Sequence, residues 1–307
     1  MSSWAVTAVR NALPDGEMFW AVQERCSDVI DTDHLVDHLQ VFPREKWKKN
    51  RWSPATWADQ LRRYTSLRKY DIDIGFDFQG HSKTALCLRL SGCRERFSAR
   101  ATDAFAARIS PPVPLVPEGP HEVQLALALV KARLDVTCPN RTRVPELSQE
   151  RVKATALADG QLDRLVTIQT GAGEADKVYP PELWKVVAES LAVAGWNVVT
   201  IGGPGDPVLA TDAVRQFVGT LSLKEALALV SLSRLHLSSD TGTGHAAAAF
   251  GVPTVTLFSR TDPDRFRPWG NEGIVLREKE AMPRIGPEDV ISASIGLLKE
   301  SQVARPG

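Results

Sequence analysis

The sequence predicts an α/β protein of two domains, each a doubly wound parallel sheet with helices on both faces. Short apolar segments alternate with helical ones along most of the chain, and glycine-rich turns follow several of the predicted strands. The length of 307 residues is typical of two domains. We place the N-terminal domain at 1–150 and the C-terminal domain at 151–307, because regular apolar periodicity weakens between Asp135 and Gln161.

The C-terminal half shows the clearer alternation. Strands are predicted at 165–168, 198–201, 235–237 and 254–258, and helices at 181–194, 208–217, 222–230 and 246–250. The first of these helices opens with Pro181 and stops at Gly195, which is the usual asymmetry of helix ends. Ser222 and Glu225 form a capping-box signature at the start of the third helix. This order of elements predicts a parallel sheet.

The N-terminal half alternates less regularly. Strands are predicted at 18–22, 39–42 and 72–78, and helices at 3–13, 55–67, 82–90 and 122–134, with a proline-rich extended segment at 109–120. A doubly wound domain normally begins with the strand that lies in the middle of its sheet. Here the first element is a helix, so we expect that the first strand and its loop, roughly ten to fifteen residues, are missing.

Composition excludes several classes of function. Lys plus Arg and Asp plus Glu both count 37, so the net charge is zero and no global basic field attracts nucleic acid. The four cysteines lack metal-site spacing and are expected to be reduced thiols of a cytoplasmic protein: Cys26, Cys87, Cys93 and Cys138. No apolar run reaches transmembrane length, and the N-terminus lacks the features of a signal peptide.

The segment 239–245, Ser-Asp-Thr-Gly-Thr-Gly-His, is the most informative of the chain. It joins a predicted strand to an alanine-rich helix, and glycines there allow a tight turn that points free N–H groups at a ligand. Glycine-containing turns also follow two other strands, at 171–173 and 202–203. Ligands of parallel sheets bind at the carboxyl ends of the strands. The three loops therefore predict one site for a phosphorylated ligand.

Several motifs together resemble glycosyltransferase family 9, the lipopolysaccharide heptosyltransferases, with the type I enzymes as nearest members. They are Asp-Phe-Gln-Gly-His-Ser-Lys-Thr-Ala at 77–85, Lys-x-Tyr-Pro at 177–180, Ile-Gly-Gly-Pro at 201–204, the whole of 222–245, and Phe-Ser-Arg-Thr-Asp-Pro at 258–263. The resemblance implies the GT-B architecture: two Rossmann-like domains that face a cleft, with acceptor in the N-terminal and donor in the C-terminal domain.

The resemblance also implies the reaction. Such enzymes transfer L-glycero-D-manno-heptose from an ADP-sugar to the Kdo–lipid A inner core of lipopolysaccharide, with inversion and without a metal ion or other cofactor. Two alternatives remain open from the residues. One is a family member with another sugar donor or acceptor. The other is a catalytically impaired binding protein or truncated product that keeps the donor site and lacks the general base.

The residues implied for the donor lie in the C-terminal domain: Thr170, Gly171, Lys177, Gly203, Asp206, Asp240, Thr241, Gly242 and His245. Lys177 and Asp240 are expected to be catalytic. Lys177 would offset charge on the departing ADP, and Asp240 would accept hydrogen bonds from sugar hydroxyls or orient its loop. The alternatives are a surface lysine and a plain helix cap. Asp206 would contact the nucleoside or shape a turn, and His245 would bind phosphate or pack.

The residues implied for the acceptor lie in the N-terminal domain: Asp77, Gln79, Lys83 and His121. Lys83 would bind a carboxylate or phosphate, and His121, as a lone histidine, has a structural role as its alternative. The general base of the family is an Asp in a Gly-Asp loop after the first strand. That Asp is expected upstream of Met1 and is absent from these residues. An inverting transfer needs such a carboxylate to take the proton of the acceptor hydroxyl.

A basic and aromatic patch spans 44–57. Arg and Lys residues of 44–51 are followed by Trp52 and Trp57. Interleaved cations and indoles suit an anionic membrane surface or a phosphorylated glycolipid, and a solvated loop is the alternative. We therefore expect a cytoplasmic protein with peripheral contact to the inner face of the inner membrane.

Overall fold

The computed structural model describes residues 1–270 and 272–303. The chain divides into two compact units, the first ending at Arg143 and the second beginning at Val144. Within the described residues, no helix is both long enough and apolar enough to span a bilayer.

The first unit alternates helices and strands. Its elements are α1 (Ser2–Ala12), β1 (Phe19–Gln23), β2 (His38–Phe42), α2 (Arg44–Lys49), α3 (Pro54–Thr65), β3 (Ile74–Asp77), α4 (Ser82–Leu90), β4 (Glu95–Ser98), α5 (Ala104–Ile109) and α6 (Glu122–Lys131). The predicted helices and strands of this half are confirmed, with ends shifted by a few residues. The segment between α5 and α6 is extended, as its prolines predict.

The strands of the first unit pair in two separate sets. Strand β1 is parallel to β2, with Phe19 opposite His38, and β3 is parallel to β4, with Ile74 opposite Glu95. Across the part of the unit that the structure describes, β1 and β3 do not pair with each other. Helix α1 packs against α6 and buries Trp4.

The second unit is a doubly wound domain. Its elements are α7 (Ser148–Leu157), β5 (Leu165–Gln169), α8 (Pro181–Val193), β6 (Asn197–Gly202), β7 (Arg215–Val218), α9 (Leu223–Leu232), β8 (Leu235–Ser239), α10 (Gly242–Phe250), β9 (Thr254–Phe258), α11 (Pro263–Phe266), β10 (Gly273–Arg277) and α12 (Pro287–Val303). Among the described residues, six strands form one parallel sheet in the order β10–β9–β8–β5–β6–β7.

Helices cover both faces of this sheet. On one face, α8 and α12 bury Trp184 and Val290 against it; on the other, α7, α9 and α10 bury Ala154, Leu227 and Ala247. The capping box predicted at Ser222 is confirmed, since its backbone N–H donates to Glu225 and its hydroxyl accepts from the Glu225 N–H. The two apolar layers cover both faces of the sheet, and the loops begin at the carboxyl ends of its strands.

The predicted helix at 208–217 is wrong. The structure has an irregular loop there, followed by the edge strand β7, which pairs with β6. The apolar residues at 208, 209, 214 and 217 have helical spacing, but Gln216 fixes the loop instead: its side chain accepts from the Leu209 N–H at 2.7 Å and donates to the Leu209 carbonyl at 2.8 Å. Phe217 then continues the sheet.

One histidine lies inside the sheet. His236 of β8 is fully buried, and its Nδ1 is 2.9 Å from the hydroxyl of Thr167 on the neighbouring strand β5. Burial lowers the pKa of His236 to about 3, because the charged imidazole would lose its hydration. The ring is therefore neutral at neutral pH.

We predict that His236 makes the fold acid-sensitive. The unfolded chain binds a proton near pH 6.5 and the folded chain does not, so stability is full above pH 6.5 and falls as the pH drops toward 3. The free energy of unfolding should fall by about 2 kcal/mol between pH 6.5 and 5 from this residue. Urea unfolding of wild type and His236→Leu at both pH values measures it. Equal losses in the two proteins would contradict the prediction.

Candidate functional site

The predicted donor residues gather at the carboxyl ends of three adjacent strands. Strands β8, β5 and β6 are neighbours in the sheet, about 4.8 Å apart. Asp240 follows β8, Thr170 follows β5 and Gly203 follows β6. The site is therefore a rim made of loops that are far apart in sequence and close in space.

An ion pair joins two of these loops. The Lys177 ammonium lies 3.0 Å from Oδ2 of Asp240 and 3.8 Å from a carboxylate oxygen of Glu174. The side chains of Lys177 and Asp240 are 22% and 9% exposed. Both residues predicted to be catalytic are thus in contact. An ammonium has three donors, so Lys177 can hold Asp240 and still reach a ligand oxygen.

The loop that carries Lys177 is tied to the end of β9. The backbone carbonyl of Asp176 accepts a hydrogen bond from Ser259 at 3.3 Å, and its carboxylate lies 3.8 Å from the Arg260 guanidinium. Sequence reasoning did not identify Ser259 or Arg260 as supports of the site. These contacts restrict the loop and so place the Lys177 ammonium.

Helix α10 points its first turn at the same rim. Thr241 is the N-cap residue, and its side chain makes no capping hydrogen bond. A Cβ on Gly242 would meet nothing within 4 Å, so the helix start opens onto free space. First-turn N–H groups and the helix dipole together attract an anion. His245 lies half-buried in the same helix.

Asp206 holds the other side of the rim. Its Oδ2 accepts from the Gly203 N–H at 2.7 Å and from the Gln169 side chain at 3.2 Å. A Cβ on Gly171 would come within 1.9 Å of the Asp206 carboxyl carbon, so a side chain there would displace it. Of the two roles predicted for Asp206, nucleoside contact or turn, the structure shows the turn.

Thr170 connects the two halves of the rim. Its N–H donates to the carbonyl of Ile201 at 3.1 Å, and its buried hydroxyl has no partner among the residues described. Thr170, Gly171, Gly203 and Asp206 therefore form one compact loop cluster at β5 and β6, beside the Lys177–Asp240 pair.

The predicted acceptor residues lie in the first unit: Asp77, Gln79 and Lys83 around the turn after β3, and His121 at the start of α6. The buried Asp77 carboxylate accepts from the N–H groups of Gln79 and Gly80 at 2.9 and 3.0 Å. Gly80 has a φ of +69°, and a Cβ there would lie 2.1 Å from the Arg100 carbonyl. Asp77 therefore shapes the turn. Gln79 is exposed in that turn. It lines a cavity of about 220 Å³ together with Phe78 and other residues of this unit.

Lys83 and His121 have different surroundings in the structure. Lys83, the second residue of α4, has no ion-pair partner among the described residues; burial, and then the charges of Arg44 and Arg25, lower its pKa. His121 is a buried helix cap whose Nδ1 accepts from the Val123 N–H at 3.1 Å. The structural alternative weighed for His121 is thus the role that the structure shows.

Sequence reasoning missed the polar support beneath α10. Nε2 of His236 lies 3.0 Å from Thr243 Oγ1, which lies 3.0 Å from Thr241 Oγ1. A histidine between two buried leucines of a strand, Leu235 and Leu237, was the available signal. The strand at 235–237 is predicted from the sequence, without a role for its histidine.

The complete rim combines backbone N–H donors, an ammonium and a carboxylate, which suits a diphosphate bonded to a polyhydroxylated group.

Comparison with known proteins identifies relatives over most of the chain. The lipopolysaccharide heptosyltransferase 1 of Pseudomonas aeruginosa is 28% identical over 290 residues, which cover 89% of this chain and 78% of that protein. Among solved structures, the glycosyltransferase family 9 protein of Veillonella parvula superposes with a TM-score of 0.77 at 18% identity, over 97% of this chain and 94% of that one.

A second solved structure has a bound ligand in its description. The Escherichia coli heptosyltransferase WaaC with ADP-2-deoxy-2-fluoro heptose superposes with a TM-score of 0.75 at 19% identity, over 97% of this chain and 94% of that one. Similarity at this identity shows a shared fold. The family model described as glycosyltransferase family 9 (heptosyltransferase) matches residues 60–292, about three quarters of the chain. This chain is a glycosyltransferase and belongs to glycosyltransferase family 9, the heptosyltransferase family.

Proposed function

We propose that this enzyme transfers heptose from ADP-L-glycero-D-manno-heptose to the Kdo–lipid A inner core of lipopolysaccharide, with inversion and without a metal ion. The observation that carries the proposal is the Lys177–Asp240 pair beside the uncapped start of α10. Family membership and the WaaC structure with an ADP-heptose analogue support this donor. The second unit binds the donor and the first unit binds the acceptor.

The proposed reaction breaks the bond between the anomeric carbon and the β-phosphate oxygen. The acceptor hydroxyl attacks that carbon from the opposite side, loses its proton to a base, and leaves the configuration inverted. ADP departs with extra negative charge, which Lys177 and the N–H groups of the first turn of α10 stabilise. Asp240 accepts hydrogen bonds from hydroxyls of the sugar and orients it.

We predict that Lys177→Ala lowers kcat by about 100- to 1,000-fold, because the departing diphosphate loses its cationic partner. Asp240→Asn should raise the KM for the nucleotide sugar and leave ADP binding nearly intact. Transfer from ADP-heptose to purified inner-core acceptor measures both effects. Lys185→Ala is the matched control, since Lys185 makes a surface pair with Glu189 at 3.9 Å.

Full activity of Lys177→Ala would contradict the proposed site. Transfer by wild type from a panel of GDP-, UDP- and ADP-sugars, with ADP-heptose inactive, would contradict the proposed donor and favour a family member with another substrate.

The acceptor hydroxyl requires a base, and Asp77 is not a suitable one. Its Oδ1 is bonded to two backbone N–H groups, and its Oδ2, which has no partner among the described residues, is buried away from solvent. We propose that the base is the Asp of a Gly-Asp loop that follows a strand N-terminal to α1. One observation supports the place of that strand: β1 and β3 stand in separate pairs, so a strand between them would bond to both. The resemblance to the family is the reason for placing a Gly-Asp loop after that strand.

We predict that a chain extended by a family member's first strand and Gly-Asp loop gains both stability and rate. The Tm should rise by at least about 4 °C, because the added strand fills two open sheet edges. The rate of transfer should rise by about 100-fold or more through general-base catalysis. The matched control carries Asn in place of the loop Asp, and should keep the higher Tm without the higher rate.

Equal activity and equal Tm in the extended and unextended chains would exclude this role for the segment. A chain that binds donor and transfers no sugar with or without the extension would support the alternative of a binding protein.

The first unit offers two features to an anionic glycolipid. One is Lys83, a cation without an acidic partner among the described residues, close to the charges of Arg44 and Arg25. The other is the basic and aromatic patch, in which α2 is followed by Trp52 and Trp57, 81% and 55% exposed. We propose that the patch contacts the cytoplasmic face of the inner membrane, where the lipid acceptor is anchored.

We predict that binding to phosphatidylglycerol vesicles depends on this patch. Lys48→Gln and Lys49→Gln should each weaken binding about fivefold at low salt, since each basic residue near an anionic surface contributes about 1 kcal/mol. Trp52→Ser should weaken it further. Val193→Ser removes an equally exposed apolar side chain from the second unit and should leave sedimentation with vesicles unchanged. Unaltered binding by the patch variants would contradict membrane contact at this surface.

A further inference from the structure

We propose that His236 is a positioning residue of the donor site, acting through Thr243 on the first turn of α10. This rests on the proposed function, because the ligand of that turn is taken to be the diphosphate of the nucleotide sugar. His236 is fully buried and lies behind the rim, so it does not touch substrate. It reaches the rim by two hydrogen bonds of 3.0 Å, from Nε2 to Thr243 and from Thr243 to Thr241.

The series of hydrogen bonds from Ser233 through His236 to Thr241 has one consistent direction. At its inner end, Ser233 donates to the Val230 carbonyl at 2.7 Å, and Thr167 donates to Ser233 at 3.2 Å. A hydroxyl has one proton, so Thr167 has none left for the imidazole. The 2.9 Å contact between Thr167 and His236 therefore has Nδ1 of His236 as the donor.

The rest of the order follows from the neutral ring. With the proton on Nδ1, Nε2 of His236 is an acceptor, and Thr243 donates to it. Thr243 has then used its proton and accepts from the Thr241 hydroxyl. The protons of Thr241 and Thr243 are both directed toward the interior of the sheet.

This order has a consequence for helix capping. An N-cap threonine normally turns its hydroxyl toward the N–H of the second or third helical residue, which satisfies that donor. The Thr241 hydroxyl is turned toward Thr243 instead and makes no such bond. The N–H groups of the first turn consequently stay open for the diphosphate. Loss of His236 or of the Thr243 hydroxyl releases Thr241, which then caps the helix and competes with the ligand.

The test is a double-mutant cycle on ADP binding. Calorimetry gives the ADP Kd of wild type, His236→Leu, Thr243→Val and the double variant, each checked for folding by circular dichroism. We expect each single substitution to raise Kd about tenfold and the double substitution also about tenfold, because both act through one contact. Thr243→Ser keeps the hydroxyl and should restore the wild-type Kd.

A matched control removes a hydroxyl that the chain of hydrogen bonds does not include. Thr256 is buried at the same end of the sheet, and its Oγ1 has no partner among the described residues, so Thr256→Val should bind ADP as wild type does. In addition, ¹⁵N NMR of the His236 imidazole should show the tautomer protonated on Nδ1 in the ligand-free protein.

Unchanged Kd values in the folded variants, a hundredfold additive loss in the double variant, or a tautomer protonated on Nε2 would each overturn the positioning role. Failure of wild type to bind ADP is a different result, since it would contradict the proposed donor while the NMR measurement still decides the direction of the hydrogen bonds.

Discussion

The pairing of β5 with β8 on one side and β6 on the other is the constraint on which the second unit depends. Val166 lies opposite Leu235 and Val198 in register. A parallel register fixes where all three strands end, and so fixes which loops meet. The Lys177–Asp240 pair, the first turn of α10 and the turn held by Asp206 then lie along one rim. Substituting a single loop residue alters one contact at the rim, whereas a shift in strand register would separate the loops that form it.

The polar side chains that support the rim are as important to the site as those that face the ligand. Asp206 bonds to two neighbouring strand ends, and His236 bonds across the sheet and to the helix. His236 is buried and Asp206 is half-buried. A buried polar group is costly unless its hydrogen bonds are made, so His236 in particular holds its partners in place. These supporting hydrogen bonds leave Lys177 and the first-turn N–H groups of α10 available to a ligand.

Much of the fold could be predicted from the sequence, because apolar periodicity and end signals such as Pro181, Gly195 and Ser222 act over short distances. Short elements such as the six-residue helix α2 and the four-residue strand β4 were not predicted, since they show little periodicity. The longer helices α7 and α12 and the strand β10 were not predicted either. The error at 208–217 has the opposite cause: a helical spacing exists there, and pairing with β6 overrides it. The binding role of the rim stays a prediction. Of the residues at the rim, the glycine turns and Lys177 were predicted from the sequence. His236 was not, because its partner Thr167 is 69 residues away.

The contact between Lys177 and Asp240 has a consequence for selectivity among the anions of the cell. A free phosphate or sulfate gains less at the Lys177–Asp240 pair than at an unpaired lysine, because the carboxylate already neutralises the ammonium charge and repels the anion. The sugar diphosphate that we propose as the donor brings both charges and hydroxyls, so it would bind the ammonium and the carboxylate at once. On the proposed function, inorganic anions are therefore expected to compete less well at this pair than the donor does.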